Sequence, residues 1–293
     1  MQARRTCPRD NAMNGTRLAI GIAVFGASVI AGAACRRSRP VGALAVRPAT
    51  VNLSRSFVAP LELRWIPAAT LDRLRGKPRV FVHVLDGGRK LLRTFDHPLP
   101  EGWTPGREQS YEIDLYQSAI AEPLPAGAYE LTGGLYEHGT RRRWPLTVDG
   151  EEVGRQEYRL ATLVVPKVAP PAPSFQFAGG WLPVEPGSSK QVVARRCLWG
   201  GGSIAVVAPP GPGTVRVAAS LRAGQGPGVA AAWRVSSGCS PEVAEIFGSE
   251  LEWAGFLVAA TAGEPPCEIR FTPPTEPTQL LCLEVLAWRP SEP

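Results

Sequence analysis

A chain of 293 residues is long enough for one large or two ordinary domains. Its 31 glycines and 30 prolines are too few for a disordered or collagenous chain, and that much proline argues against long helices. The formal charge of +6 is concentrated early. Without residues 1–34 the balance is 28 basic to 25 acidic side chains, so the remainder lacks the clustered basic face that nucleic-acid binding needs.

Leu18–Ala34 is an uninterrupted apolar run preceded by Arg4, Arg5, Arg9 and Arg17 and ending in small residues. That order of basic, apolar and small regions predicts a signal peptide over residues 1–34, and the run is short for a retained anchor. Ala33-Ala34-Cys35 resembles the bacterial lipobox, whose Cys is lipidated and becomes the mature N-terminus. Gly32 stands where that motif carries Leu, Val or Ile. Ala31-Gly32-Ala33 also fits ordinary cleavage, which would release a secreted soluble product. The lipobox resemblance implies lipidation at Cys35 and a membrane contact through that lipid. Residues 35–44, rich in Arg with Pro and Gly, read as a tether.

Residues 45–168 read as a first β-sandwich. Leu61, Leu63 and Trp65 alternate with Glu62 and Arg64, the period of a half-buried strand. Arg79–Leu85 is an apolar, β-branched run ending at Asp86-Gly87-Gly88. Glycines there supply the positive φ of a tight turn, so a second strand is expected back through Leu91–Phe95. Tyr111–Leu115, Ala128–Tyr136, Arg143–Val148 and Gln156–Val165 follow, with turn signals at sandwich spacing. His83 could act as a base or ligand beside Asp86 or Asp96, or simply bond across the sheet. With three histidines in the chain and no His-x-x-x-His or Cys-His spacing, no metal site is expected.

Val82-His83-Val84-Leu85-Asp86, Trp103-Thr104-Pro105-Gly106, Pro125-Ala126-Gly127-Ala128-Tyr129 and Gly134-Leu135-Tyr136-Glu137 together resemble known modules. These are the β-sandwich domains attached to bacterial polyprenyl-linked glycosyltransferases and found alone in some envelope proteins. The resemblance spans about residues 60–150. It implies an accessory sandwich in the cell envelope and carries no transferase activity with it.

Val168 to Pro173 supplies a proline-rich linker, placed at residues 169–174. Residues 175–293 then read as a second β-sandwich, with Gly200-Gly201-Gly202 punctuating its strands. Only Pro241–Trp253 has a helical look. Phe177-Ala178-Gly179-Gly180-Trp181, Leu198-Trp199 and Phe271-Thr272-Pro273-Pro274 resemble the jelly-roll module that accompanies sugar-transfer membrane proteins and, more loosely, carbohydrate-binding sandwiches. The fold expected is therefore all-β: two sandwiches, Ig-like or jelly-roll-like, after an N-terminal signal helix.

Cys197, Cys239, Cys267 and Cys282 in an exported domain predict two disulfides, for which three connectivities exist. In a jelly roll the first and last strands are commonly neighbours, which favours Cys197–Cys282 and leaves Cys239–Cys267. Trp181, Trp199, Trp233 and Trp253 could each stack on a sugar ring or plug a core. Trp181, after two glycines, is the expected exposed one, and Trp181, Trp199 and His83 are the candidate ligand-binding residues.

Neither Ser236-Ser237-Gly238 nor Gly248-Ser249-Glu250 forms a nucleophile elbow. Gly200-Gly201-Gly202 is not followed by Lys-Ser, so no phosphate loop is expected. Asp86, Asp96, Asp114, Glu185 and Glu250 are scattered, and a glycosidase pair among them would be invisible in sequence. The expectation is a non-catalytic, cofactor-free binding or scaffolding protein of the cell envelope, periplasmic or outer-membrane-associated, with a glycan or an envelope protein as partner. The alternatives are a glycan-active enzyme or its accessory subunit, and a structural spacer.

Overall fold

In the computed structural model the first strands are β1 (Gly42–Arg47), β2 (Thr50–Asn52), β3 (Val58–Pro67), β4 (Pro78–Leu85) and β5 (Leu91–Thr94). Next come β6 (His97–Pro98), β7 (Gln109–Tyr116), β8 (Gly127–Glu137), β9 (Arg143–Trp144), β10 (Thr147–Val148), β11 (Glu152–Gly154) and β12 (Glu157–Val165). The later strands are β13 (Ser174–Pro186), β14 (Ala194–Val207), β15 (Gly211–Ala223) and β16 (Trp233–Ser237). The last are β17 (Val243–Ile246), β18 (Glu252–Ala260), β19 (Cys267–Thr272) and β20 (Gln279–Pro290). The structure describes residues 39–71, 77–207, 211–223, 232–260, 265–275 and 279–291. The predicted signal peptide and Cys35 lie outside them. Among the described residues there is no α-helix, and no helix is long and apolar enough to cross a membrane.

Two sheets form the first sandwich. One runs β10-β1-β3-β7; the other runs β11-β12-β8-β4-β5, with β2, β6 and β9 on its margins. Leu61, Leu63 and Trp65 of β3 meet Val80, Val82 and Val84 of β4 and Leu131 and Leu135 of β8 in one core. The period-two pattern of these strands is what supplies each sheet with one apolar face. Val41 and Leu44 belong to the same core, so the residues expected at the end of the tether are instead in the sandwich. Leu44 is too apolar to leave in solvent once β3 is beside it.

The hairpin after β4 forms, with β5 returning as expected. Its positive φ falls on Arg89 rather than on either glycine. Asp86 explains this: its Oδ1 accepts the backbone N–H groups of Gly88 and Lys90 at 2.9 and 2.8 Å and shapes the turn instead.

The third sheet runs β17-β16-β19-β14-β20-β15-β18, with β13 on the outer edge of β14. Its two arms share one core, so the sheet folds over on itself into a second sandwich. The fold-over occurs in β14. Residues 196–198 pair with β20 and residues 202–206 with β19. Gly200-Gly201-Gly202, expected to end a strand, lies inside this one and lets it change partner; Gly200 takes φ +73°. The Pro241–Trp253 stretch that looks helical is strand β17 and the start of β18, since Gly248 and pairing with neighbours override a weak local preference.

Cys197 and Cys282 sit opposite each other on β14 and β20 and are disulfide-bonded, with Cα atoms 4.0 Å apart. Cys239 and Cys267 form the other bridge at a Cα separation of 5.7 Å.

The two sandwiches pack directly on each other. Ala218, Val285 and Ala287 join the first core, while Val217, Leu286 and Trp288, on the opposite faces of the same strands, join the second. The backbone is shared too: Ala119 N–H donates to Leu286 O at 2.7 Å and Trp288 N–H to Ser56 O at 2.8 Å. Whatever flexibility residues 169–174 have as a linker, these contacts restrain it.

Candidate functional site

β7 places Glu112 and Asp114 on one face, two residues apart, at the seam between the sandwiches. Arg289 of β20 reaches across and donates to Asp114 Oδ1 at 3.2 Å and to Glu112 Oε1 at 3.0 Å. Arg216 of β15 holds the other Asp114 oxygen at 3.1 Å. The indole of Trp253, on β18, packs edge-on against Tyr116 with ring centroids 5.1 Å apart. These residues, with Asp96 and His97, line a cleft of about 370 Å³. Trp253 is 38% exposed there, so it offers part of its ring to anything that enters.

His97 has no free valence for a ligand. Its Nδ1–H points at Phe95 O, 3.0 Å away, which leaves Nε2 to accept the Tyr111 hydroxyl at 2.9 Å. Burial lowers its pKa, consistent with a neutral ring in this role.

Asp96 lines a second hollow as well, of about 330 Å³, on the outer face of the β8-β4 pair. Phe81 and His83 of β4 lie opposite Gly134 and Thr132 of β8 on that face. Glu157 organises it. Its Oε1 accepts from His83 Nδ1 at 3.0 Å and from the Thr132 hydroxyl at 2.6 Å, and its Oε2 accepts from Arg143 at 2.8 Å. Burial alone would raise the pKa of this carboxyl, but the three donors outweigh burial and hold it down, to about 2. Arg143 is thereby fixed over the Phe81 ring, its guanidinium carbon 4.4 Å from the centroid. The Tyr136 hydroxyl donates to Asp96 Oδ2 at 3.2 Å, while Asp96 Oδ1 is buried without a partner among the described residues. Burial raises the pKa of Asp96, and the neighbouring His83, Tyr136, Arg79 and Arg143 only partly offset it.

The residues singled out in the sequence are divided by the fold. His83 does lie in the same hollow as Asp96, but its hydrogen bond goes to Glu157; Asp86 is committed to the hairpin turn. Trp181 is on a strand rather than in a loop. Its indole N–H donates to Ser203 O at 3.1 Å and its ring meets Phe177 and Phe271 edge-on, so it packs against the second core. Trp233 is fully in that core. Of Trp181 and Trp199, the latter is the exposed one, at 55%, next to Leu198, which points into the second core. Trp253 was obscured by the helical look of its segment. Read as Glu252–Ala260 strand, the sequence puts Trp253 and Leu257 on the face opposite Phe256 and Val258, which was the available signal. Among the described residues no group of three His, Cys, Asp or Glu could hold a metal ion.

No protein-family model matches the chain, and no curated protein matches it. Among solved structures, it is similar to the N-terminal CBM22-1–CBM22-2 tandem domain of Paenibacillus barcinonensis Xyn10C. That match covers 85% of this chain and 94% of the other, with 10% identity and a TM-score of 0.30. A β-glucuronidase of Bacteroides uniformis is 12% identical over 86% of this chain and 30% of its own, with a TM-score of 0.26.

Proposed function

We propose that this chain is an exported cell-envelope protein, held by a lipid on Cys35 after removal of residues 1–34, that binds glycan without catalysis. The observation that carries this reading is the cleft at the seam. A half-exposed indole stands beside carboxylate–guanidinium pairs fixed by two β-strands, an arrangement that offers an apolar ring face and several hydrogen-bonding groups to a sugar. Asp114 is held by two arginines and Glu112 by one, so neither is free to act as a general base. Two disulfides support an oxidising compartment.

A glycan array with the full chain tests this, with Trp253→Ala alongside. Binding that Trp253→Ala abolishes supports the cleft; binding that depends on Trp199 alone moves the site to β14; no binding to any glycan removes the proposal. Intact-mass analysis of membrane-extracted protein shows whether Cys35 carries lipid.

Asp96 favours a second reading, a glycan-active enzyme, because burial raises its pKa and it lines the same cleft as Asp114. Release of reducing sugar that Asp96→Asn abolishes would establish that reading over the first.

A further inference from the structure

The hollow next to the cleft has a charge pattern of its own. Glu157 is saturated by His83, Thr132 and Arg143. Arg141 also lines the hollow, and among the described residues its guanidinium has no hydrogen-bond or ion-pair partner. The turn that presents it is tightly fixed. Arg141 N–H donates to Glu137 O at 3.0 Å, Glu137 N–H donates to Arg142 O at 2.9 Å, and the Thr140 hydroxyl donates to Glu137 Oε2 at 2.8 Å. Arg141 itself sits in the left-handed region, at φ +55°, within this bonded turn. Asp96 lines the hollow as well, its Oδ2 accepting from the Tyr136 hydroxyl at 3.2 Å and its Oδ1 buried. An unpaired guanidinium on the wall of this hollow complements a ligand that carries an anion.

We propose that this hollow takes an acidic sugar unit. Its carboxylate would pair with the Arg141 guanidinium, beside the Arg143 that Glu157 already holds. Because Asp96 lines both spaces, a chain whose next unit lies against Trp253 could fill them together. The inference rests on the glycan-binding reading above and narrows its ligand from glycans in general to glycans bearing carboxylates.

The test compares binding of an oligogalacturonate and its carboxyl-reduced counterpart to the full chain, to Arg141→Gln and to Arg234→Gln. Arg234 is an exposed arginine on β16 and controls for the loss of one positive charge. The acidic oligosaccharide should bind at least about tenfold more tightly than the reduced one, as expected of a directed guanidinium–carboxylate pair. Arg141→Gln should bring that ratio close to one, and Arg234→Gln should leave it unchanged. Equal binding of both sugars, or a preference that survives Arg141→Gln, overturns the acidic-unit assignment while leaving glycan binding standing. Failure of these and all other glycans to bind removes both.

Discussion

Glu157 is the point at which the candidate site and the stability of the fold are tied together. Replacing it with Gln keeps the side-chain volume and removes the charge that His83, Thr132 and Arg143 converge on. The carboxyl titrates near 2 in the folded protein against an ordinary 4.5. At about 1.4 kcal/mol per pKa unit that displacement corresponds to about 3 kcal/mol, and partial solvent screening of the pairs reduces it to roughly 2. The folded state binds this proton more weakly than the unfolded chain does. The stabilisation is therefore complete above the ordinary value of 4.5 and disappears as pH falls toward about 2. Urea unfolding followed by tryptophan fluorescence, with disulfides intact, should show Glu157→Gln about 2 kcal/mol less stable than the parent near neutral pH. The two curves should converge as the medium is acidified through that window. A difference that is the same at every pH, or smaller than about 0.5 kcal/mol at neutrality, would refute the reasoning.

Three further outcomes follow from particular contacts. A Cβ at Gly134 would stand 2.6 Å from Phe81 Cζ and 2.7 Å from Gln156 O, so Gly134→Ala should cost roughly 1–3 kcal/mol in chemical denaturation and should displace Phe81 from beneath Arg143. The Cys197–Cys282 bridge spans 85 residues and Cys239–Cys267 spans 28, so loop-closure entropy makes the first worth about 4–5 kcal/mol and the second about 3–4. Paired Cys→Ala variants should therefore lose stability in that order. Glu284 is buried on β20, its pKa raised by that burial despite a hydrogen bond from Ser220. Ionising it opposes folding, so Glu284→Gln should be more stable than the parent at neutral pH. That advantage should shrink as the pH is lowered toward the ordinary carboxyl value of 4.5, which pH-resolved thermal unfolding would show.

Much of the architecture is a local property and could be read along the chain. Alternation in β3 and β7 identifies strands because side chains of a strand point to opposite faces whatever the strand pairs with. The near-continuous apolar run of Gln279–Trp288 carried one more message: β20 is covered on both faces, one by each sandwich. The glycine tract at 200–202 shows where local reading stops. The same residues that can end a strand can also let one continue while changing partner, and only the pairing of β14 with both β19 and β20 distinguishes the two.

The cleft was hidden for a related reason. Asp96 comes from the link between β5 and β6, and Asp114, Trp253 and Arg289 come from three strands; together they spread over almost 200 residues, and no spacing links them. They meet because β20 lies between two cores and carries Arg289 to the face of β7. Long-range pairing register decides such a meeting, and a one-residue slip of β7, β18 or β20 would turn Asp114, Trp253 or Arg289 to the opposite face.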